Sequence, residues 1–254
     1  MKVRIYNEHL RNNAVRDVLY MRNQDIYPSL VDVIIPAFNE EDSIGKVIHD
    51  IPKDEVRYIV VANNASTDDT KVTAERAGAI VVDEPNAGYG SACLAGMSYI
   101  KSLESPPDTV VFIDGDYSDY PEQLTKLTDK INEGYDLVIG SRSQGDLEKG
   151  SMTPAQLFGN WLATNLIRIL YKIHFTDLGP FRAVRYQSLL AMNMSDKDFG
   201  WTVEMQVKGA KMGMKCTEVA VDYRRRIGVS KISGTVKGTI LAGHKILWTI
   251  FRLI

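Results

Sequence analysis

The chain has 254 residues, of which 44% are hydrophobic and 24% charged, the ordinary composition of a soluble globular protein. Its net charge of −2 gives no general attraction to nucleic acid, so we expect no nucleic-acid partner. The two cysteines form no metal-type spacing, no apolar leader opens the chain, and no stretch is apolar enough to span a membrane. These features predict a cytoplasmic protein with reduced thiols.

A polar extension over residues 1–30 precedes a regular alternation of apolar strands and amphipathic helices. The predicted strands are VDVIIPA, VRYIVVAN, AIVVDE, TVVFID and YDLVIGSR. The predicted helices between them run from Glu40 to Asp50 and over STDDTKVTAERAG, GYGSACLAGMSYIKSL and PEQLTKLTDKINEG. We expect Ser66 or Thr67 to cap the second helix and Gly78 to end it. Continuous apolar strands alternating with helices predict a mostly parallel sheet covered on both faces.

After Arg142 the alternation stops, and a polar loop leads into a long helix, AQLFGNWLATNLIRILYKI. Two more helices are predicted around YQSLLAMN and WTVEMQVKGAKMG, and a strand is predicted over KCTEVAVDYRRR. We therefore expect one continuous domain over residues 31–235. Its first part, 31–142, resembles a nucleotide-binding half, and residues 143–235 form an acceptor half.

Residues 236–254 are predicted to form a C-terminal amphipathic helix. One helical face, with Trp248 near it, carries Ile240, Ile246, Leu247, Ile250, Phe251 and Ile254. An apolar face of this kind is typical of a helix lying on a membrane surface, and equally of a core or dimer helix. Both interpretations remain open from the sequence.

Polar residues follow four predicted strands where each one ends, in PAFNEE, NNASTDD, NAGYG and DGDYSD. Ligands of open α/β sheets bind at these carboxyl ends, so the four segments predict a ligand crevice. Asp114 and Asp116 are two residues apart and project to the same side of an extended segment. Paired carboxylates repel each other unless a cation holds both, which indicates a Mg²⁺ or Mn²⁺ site. The alternative is a solvated turn.

Other charged residues and glycines are candidates with a structural alternative. Gly88 and Gly90 precede a helix, where they allow backbone N–H groups to approach a ligand or simply make a tight turn. Arginine side chains suit phosphate binding, and we expect one or two of the following to contact phosphate: Arg142, Arg182, Arg224, Arg225 and Arg226. Glu204 lies in an apolar helical stretch, where it is either a general base or a structural partner of an arginine.

The segments VIIPAFNEEDSIGKVI, NNASTDDT, NAGYGSACLAG, VVFIDGDYSDYPEQL, VIGSR and GPFRAVR, in this order, resemble an inverting family 2 glycosyltransferase with the GT-A fold. Within that family the chain is similar to the dolichyl-phosphate mannose synthase branch, the polyprenyl-phosphate sugar synthases. The resemblance covers roughly residues 31–233. It implies a GDP- or UDP-linked sugar donor, a divalent metal, a polyprenyl phosphate acceptor and peripheral contact with the cytoplasmic membrane face.

The resemblance also implies roles for individual positions. The nucleotide base and ribose would contact Pro36, Ala37, Asn39, Glu40, Asn63 and Asn64. The metal and the donor diphosphate would be held by Asp114 and Asp116, and Arg142 and Arg182 would lie near the phosphates. Glu204 matches a carboxylate placed near the acceptor. The segment RRRIGVSK, with Arg224, Arg226 and Ser230, resembles a loop that closes over donor and acceptor.

Departures from the family pattern leave alternatives open. Ser118 stands where relatives carry a metal-binding Gln, so either Asp119 takes over or two carboxylates and water hold the metal. Gln156 and Asn160 occupy the region where relatives offer an Arg to the lipid phosphate. The alternative function is a soluble glycosyltransferase with a hydroxyl acceptor and Glu204 as base. A third interpretation is a nucleotide-sugar binding module or a nucleotidyltransferase, although PAFNEE lacks a nucleotidyltransferase's Gly-rich loop.

Overall fold

The computed structural model describes residues 29–228 and 236–254, and within it Val31–Ile254 belongs to one compact unit. The expected N-terminal extension lies outside the described residues except for its last two positions, and the predicted donor-loop residue Ser230 lies outside them too. The unit is a seven-stranded sheet with helices packed on its two faces. Its core is therefore divided into two apolar clusters, one on each face.

The sheet has the strand order β3-β2-β1-β4-β6-β5-β7. Its strands are β1 Val31–Ala37, β2 Val56–Asn63, β3 Ile80–Asp83, β4 Thr109–Phe112, β5 Leu137–Ser141, β6 Arg182–Arg185 and β7 Cys216–Ala220. All pairings are parallel except those of β6, which runs antiparallel to both β4 and β5. Every residue of β1 is buried, as the continuous apolar run predicted. The mixed, mainly parallel sheet confirms the predicted α/β class.

The helices pack on the sheet as the alternating pattern predicted. They are α1 Ile44–Asp50, α2 Thr70–Arg76, α3 Tyr89–Lys101, α4 Leu124–Asn132, α5 Pro154–Tyr171, α6 Tyr186–Met192, α7 Trp201–Lys211 and α8 Val236–Arg252. A 3₁₀ turn over Pro121–Gln123 opens α4, and a Thr153–Gln156 capping box opens α5. Both features are local, because capping and proline geometry depend only on neighbouring residues.

Several predicted boundaries were wrong. Helix α1 begins at Ile44 rather than Glu40, and α2 begins at Thr70 after Asp69, so neither Ser66 nor Thr67 is its cap. Both residues instead form hydrogen bonds with the loop that follows β1. The prediction for the end of α2 is confirmed, because Gly78 follows it with a φ of 91°.

Two strand predictions in the acceptor half need correction. The segment GPFRAVR was not assigned to any element, yet it contains β6, inserted antiparallel between β4 and β5. Strand β7 ends at Ala220, so the arginines of YRRR lie beyond the strand rather than on it. Strand alternation therefore does not decide which of these arginine side chains points inward.

Helix α8 packs against α5 and α7, and its inner face is part of the core. Ile250 is fully buried, and the Tyr171 hydroxyl donates to the Ile250 carbonyl at 2.6 Å. The predicted apolar face is thus split, because Ile250 points inward while Phe251 and Ile254 are exposed. The core interpretation therefore holds for the inner side of α8, while a second apolar side of the helix is exposed. Within the described residues no helix is both long and apolar enough to cross a membrane.

Candidate active site at the carboxyl edge of the sheet

A cavity of about 460 Å³ opens where β1, β2 and β4 end, at the edge of the sheet where the sequence predicted a crevice. It is lined by Pro36, Ala37, Phe38, Glu40, Asn64, Ala87, Gly88, Tyr89, Ala92, Asp114, Gly115, Asp116, Asp198, Phe199 and Arg226. Eight of the residues singled out from the sequence are in this lining. They are Pro36, Ala37, Glu40, Asn64, Gly88, Asp114, Asp116 and Arg226.

The two aspartates of the predicted pair share this cavity. The Tyr89 hydroxyl donates to Asp114 Oδ1 at 3.0 Å, and the Ser118 backbone N–H and hydroxyl both donate to Asp116 Oδ1, at 2.9 and 2.5 Å. Burial, and then the neighbouring charge of Asp116, raise the pKa of Asp114 from 3.8 to about 7. The pair therefore resists carrying two negative charges by itself, which is the behaviour expected of carboxylates that share a cation.

Asp119 adds a third carboxylate below the pair. It is 1% exposed, and among the described residues neither of its side-chain oxygens has a hydrogen-bond donor. Burial, followed by the charge of Asp114, raises the pKa of Asp119 well above its usual range. A buried carboxyl group without a hydrogen-bond partner is unusual and calls for an explanation, such as an ion that it would contact.

A hard divalent cation fits this donor set, because carboxylate oxygens are its preferred ligands. Among the described residues one oxygen of Asp114 has no partner, and Asp116 Oδ2 is bonded only to the guanidinium of Arg226. In the described part of the chain, no three side chains of the His, Cys, Asp or Glu type converge on one point. Asp119 therefore does not complete a three-carboxylate set in this conformation. The residues fit a metal held by two carboxylates, with the remaining positions left for diphosphate oxygens and water.

Arg226 is the arginine of the YRRR segment that enters the cavity. Its guanidinium lies 2.5 Å from Glu40 Oε1 and 3.2 Å from Asp116 Oδ2, so it bridges the loop after β1 to the aspartate pair. Burial raises the pKa of Glu40, with Arg226 opposing the shift. A cation bonded to two acidic groups at a cavity wall can exchange one of them for a phosphate oxygen.

The other two arginines of the segment do not line the cavity. Arg224 stacks on the rings of Tyr117 and Tyr120 and donates from Nε to the Tyr117 carbonyl at 2.7 Å. Its own N–H donates to the Ser118 carbonyl at 2.9 Å, which fastens the segment to the turn that carries the aspartates. Arg225 is exposed and bonded to the Lys149 carbonyl. In this conformation Arg224 packs on the turn that carries the aspartates, and its predicted ligand contact stays a prediction.

Of the three asparagines predicted at the site, Asn64 lines the cavity, whereas Asn39 and Asn63 do not. Asn64 accepts from the Gly88 N–H at 2.8 Å and donates to the carbonyls of Glu84 and Asn86, so it shapes the glycine loop it faces. Asn63 donates to Asp83 outside the cavity lining. Asn39 has a φ of 53°, and its Oδ1 accepts from the Thr67 N–H at 2.8 Å. In this conformation Asn39 is a turn residue joining two loops rather than a lining residue.

Arg142 and Arg182, which were predicted to lie near the phosphates, are buried and do not line the cavity. Arg142 is buried and held by Asp177 through two bonds, Nε–Oδ2 at 2.8 Å and Nη2–Oδ1 at 2.7 Å. Arg182 is fully buried, and its guanidinium donates to the carbonyls of Leu178, Gly179 and Thr202. Burial lowers the pKa of Arg182 to about 10. Both guanidinium groups are bonded to partners inside the fold, and neither lines the cavity.

Glu204 is also fully buried and does not line the cavity. It pairs with Lys208 at 2.7 Å and accepts from the N–H groups of Ser195 and Asp196, at 3.1 and 2.7 Å. Burial opposes ionisation, but Lys208 and these backbone donors together lower the pKa of Glu204 overall. A general base needs a raised pKa and access to the acceptor. The structural alternative is supported instead, with a lysine rather than an arginine as the partner.

Three functional candidates were missed in the sequence. Tyr89 bonds Asp114, and its position inside NAGYG was a usable signal, because that segment had already been placed at the crevice. Asp198 and Phe199 line the cavity from the loop before α7. They carry no local signal, since they come to the site from more than eighty residues beyond Asp114 in the chain.

Solved structures share this architecture. Glucosyl-3-phosphoglycerate synthase from Mycobacterium tuberculosis, solved with Mn²⁺, UDP and phosphoglyceric acid, matches with a TM-score of 0.70 at 19% identity, covering 89% of this chain and 78% of that one. The same enzyme with Mn²⁺ and UDP-glucose also matches with a TM-score of 0.70, and it has been solved with Mg²⁺ and UDP. At this identity the likeness establishes the fold, which is GT-A.

Sequence relatives agree with the fold. An uncharacterised glycosyltransferase of Mycobacterium tuberculosis is 36% identical over 84% of this chain and 94% of its own length. A dolichyl-phosphate hexose transferase of Haloferax volcanii is 32% identical, over 82% and 89%, and an undecaprenyl-phosphate mannosyltransferase of Micrococcus luteus is 29% identical, over 81% and 88%. The model of the glycosyl transferase family 2 matches residues 32–191. The chain belongs to glycosyl transferase family 2, and it is a glycosyltransferase.

Proposed function

We propose that this chain is an inverting glycosyltransferase that moves a sugar from a UDP- or GDP-linked donor to a polyprenyl phosphate. The observation that carries the proposal is the cavity at the carboxyl edge, in which Asp114, Asp116 and Arg226 converge while Glu204 stays outside. The cavity therefore offers groups suited to a diphosphate, while the carboxylate predicted to act as a base is committed to Lys208. Two relatives are named for transfer to undecaprenyl and dolichyl phosphates.

The proposed reaction is a single displacement at the anomeric carbon. An acceptor phosphate oxygen attacks from the face opposite the donor diphosphate, the bond from the anomeric carbon to the diphosphate oxygen breaks, and the nucleoside diphosphate leaves. A divalent cation on Asp114 and Asp116 would neutralise the charge developing on the leaving diphosphate. Tyr89 fixes the orientation of the Asp114 carboxylate by hydrogen bonding. Arg226 supplies a cation at the same wall.

A phosphate acceptor is anionic and needs no general base, whereas a hydroxyl acceptor loses a proton during attack. Glu204 lies in the core with a lowered pKa, so the alternative of a hydroxyl acceptor with Glu204 as base loses its support. The binding-module and nucleotidyltransferase interpretations are not favoured, since the family is that of sugar transfer.

Contact with a membrane surface belongs to the same proposal, because a polyprenyl phosphate lies in a bilayer. Helices α5 and α8 contain no acidic residue and four basic ones. Their exposed sides carry Phe158, Trp161 and Ile169 on α5 and Leu241, Trp248 and Phe251 on α8. Exposed aromatic rings among basic residues are typical of helices that rest on anionic lipid at the cytoplasmic membrane face.

A donor and acceptor panel tests the reaction. The full chain is incubated with UDP- and GDP-sugars, Mn²⁺ or Mg²⁺, and either a short polyprenyl phosphate or the matching polyprenyl alcohol. We expect nucleoside diphosphate release and a glycosylated product with the phosphate but not with the alcohol, and inversion of the anomeric configuration by NMR. Transfer to the alcohol would support the hydroxyl-acceptor alternative, and binding of donor without transfer to either would support a binding module.

Vesicle flotation tests the membrane contact separately. We expect the chain to float with vesicles containing anionic lipid, and the double variant Trp161→Ser, Trp248→Ser to float less. The matched control is Tyr58→Ser, which removes an exposed aromatic ring from β2, away from both helices. Equal flotation of the two variants would contradict the proposed surface.

A further inference from the structure

The loop between α6 and α7, residues 193–200, forms one wall of the cavity. Asp198 and Phe199 lie in the lining, and within the described residues the Asp198 carboxylate has no hydrogen-bond partner. A free carboxylate and an aromatic ring beside the aspartate pair are suited to contact the hydroxyls and the apolar face of a sugar ring. The position of this loop therefore bears directly on how a bound sugar is held.

On its cavity side the loop rests against the start of α3. The Ser91 N–H donates to the Lys197 carbonyl at 3.0 Å. A Cβ atom on Gly90 would lie 2.0 Å from the Asp196 carbonyl oxygen, and one on Gly88 would lie 2.2 Å from that of Lys197. The sequence suggested that these two glycines let a ligand approach the backbone. In the structure they make room for the backbone of residues 196–197 instead. The glycine loop and residues 196–197 form one continuous wall.

On its far side the loop is held by Asp196, whose side chain is 1% exposed. Asp196 Oδ1 accepts from the Asp198 N–H at 2.8 Å, and Oδ2 lies 3.2 Å from Lys245 Nζ and 3.5 Å from the Thr249 hydroxyl, both on α8. A Cβ atom on Gly200 would lie 2.3 Å from Thr249 Oγ1, so the helix and the loop are in close contact. Asp196 is therefore the link between α8 and the cavity wall.

The other end of the same loop is fixed by Glu204. Its carboxylate accepts from the N–H groups of Ser195 and Asp196, so α7 holds the backbone just before the link. Removing the Lys245 contact would leave the Asp196 carboxylate buried with only neutral donors, a situation that favours movement of the loop. The loop is thus clamped by α7 through its backbone and by α8 through one ion pair.

We propose that Asp196 is a positioning residue through which the C-terminal helix α8 sets Asp198 and Phe199 against the transferred sugar. The inference rests on the proposed function for the identity of the ligand, although the link itself does not. It gives α8 two roles, because its outer side carries the exposed aromatic residues while its inner side, with Lys245 and Thr249, holds the cavity wall. Docking of the outer side and the position of the wall are then coupled through one helix.

Hydrogen exchange tests the link without any substrate. In Lys245→Met, backbone amides of residues 196–200 are expected to exchange about tenfold faster than in the wild type, because the loop opens locally once its ion pair is lost. Lys245→Arg should restore slow exchange. The matched control is Lys101→Met, which removes an exposed lysine at the end of α3. Unchanged exchange at residues 196–200 in Lys245→Met would overturn the proposal.

Kinetics distinguish a positioning role from a merely structural one, because a structural role would leave the donor KM unchanged. With the active donor, Lys245→Met is expected to raise the donor KM about fivefold through lost positioning of the sugar, with Tm lowered only slightly. A lowered Tm with an unchanged donor KM would overturn a positioning role. Should Lys245→Met fold poorly, the isosteric Thr249→Val carries the same test with a smaller effect. Failure of all donors to react would contradict the proposed function, while the exchange result would still decide the link.

Discussion

The two halves of the sheet use buried charge in opposite ways. At the ends of β1 and β4, acidic groups lack partners for their negative charge. Asp119 has no hydrogen-bond donor among the described residues, and the pKa of Asp114 is raised to about 7. Beyond β5, the buried charges have partners within the fold, Arg142 with Asp177, Arg182 with three carbonyls and Glu204 with Lys208. The sequence had made candidate site residues of Asp114, Asp119, Arg142, Arg182 and Glu204 alike.

The difference shows that burial of a charged group does not by itself indicate function. A buried charge whose donors or acceptors are all satisfied is costly to disrupt and has nothing left to offer a ligand. A buried charge without partners is costly, and it is retained where a ligand supplies what is missing. Substitutions at Asp116, Arg182, Asp114 and Glu204 test this contrast.

The largest effect is expected at the aspartate pair. Asp116→Asn keeps the shape of the side chain but removes the charge, and we expect metal-dependent transfer to fall by at least about a thousandfold. Steady-state kinetics and Mn²⁺ binding by calorimetry measure the two consequences. Asp42→Asn, at an exposed carboxylate before α1, is the control and should behave as the wild type. Transfer within tenfold of wild type in Asp116→Asn would remove this pair from the mechanism.

Arg182→Met is expected to act on stability rather than on chemistry. The carbonyls of Leu178, Gly179 and Thr202 lose their donor in the core, so the free energy of unfolding should fall by about 3–5 kcal/mol. Denaturant titration measures this change, and kcat/KM of the folded fraction should stay within about threefold. Arg225→Met, at an exposed arginine, is the control. An unchanged unfolding free energy with lost activity would restore the phosphate role.

Asp114→Asn should change how stability depends on pH in the metal-free protein. The pKa of Asp114 is about 7 in the fold and 3.8 ordinarily, so the folded state holds an extra proton between these values. Wild-type stability is therefore lost progressively as pH rises from about 4 to about 7 and levels off above that, and the variant lacks this loss. We expect Asp114→Asn to be more stable than wild type by about 4 kcal/mol near pH 8, with the difference vanishing near pH 4. Thermal melts over this range measure it, and a pH-independent difference would contradict the raised pKa.

The smallest effect is expected for Glu204→Gln. The variant loses the ion pair with Lys208 and a good acceptor for two N–H groups, so stability at neutral pH should fall by about 1–2 kcal/mol. Because the pKa of Glu204 is lowered in the fold, this difference should disappear on acidification through that pKa. The rate should fall by less than about tenfold, whereas loss of a general base costs about a hundredfold or more. Near-complete loss of turnover would revive the hydroxyl-acceptor alternative.

Much of the first half could be predicted because its signals are local. The buried run VDVIIPA became β1 with every residue buried, and the aspartates after TVVF reached the cavity as expected. Parallel strands bring their carboxyl ends to one edge whatever the details of packing. Sequence order was therefore enough to assemble Pro36, Asn64, Gly88 and Asp114 around one crevice.

Less of the second half could be predicted, because its outcome depends on distant partners. The RAVR segment, in which two arginines flank two apolar residues, forms an antiparallel strand between β4 and β5. The guanidinium of Arg182 is bonded to backbone carbonyls rather than to a phosphate. Asp198 lines the cavity from a loop that has no recognisable sequence pattern. A charged residue in an apolar helix looks the same in sequence whether its partner is a ligand or a lysine one turn away.

The sequence by itself determined the α/β class, the family resemblance and the edge of the sheet at which the aspartate pair lies, since strand periodicity and strand order are properties of neighbouring residues. Only the tertiary structure decided which charges remain free. Hydrogen-bond satisfaction is settled by contacts between residues far apart in the chain, such as Asp196 with Lys245 and Arg226 with Asp116. Those contacts separate the site from the scaffold, and they tie the C-terminal helix to the wall of the cavity.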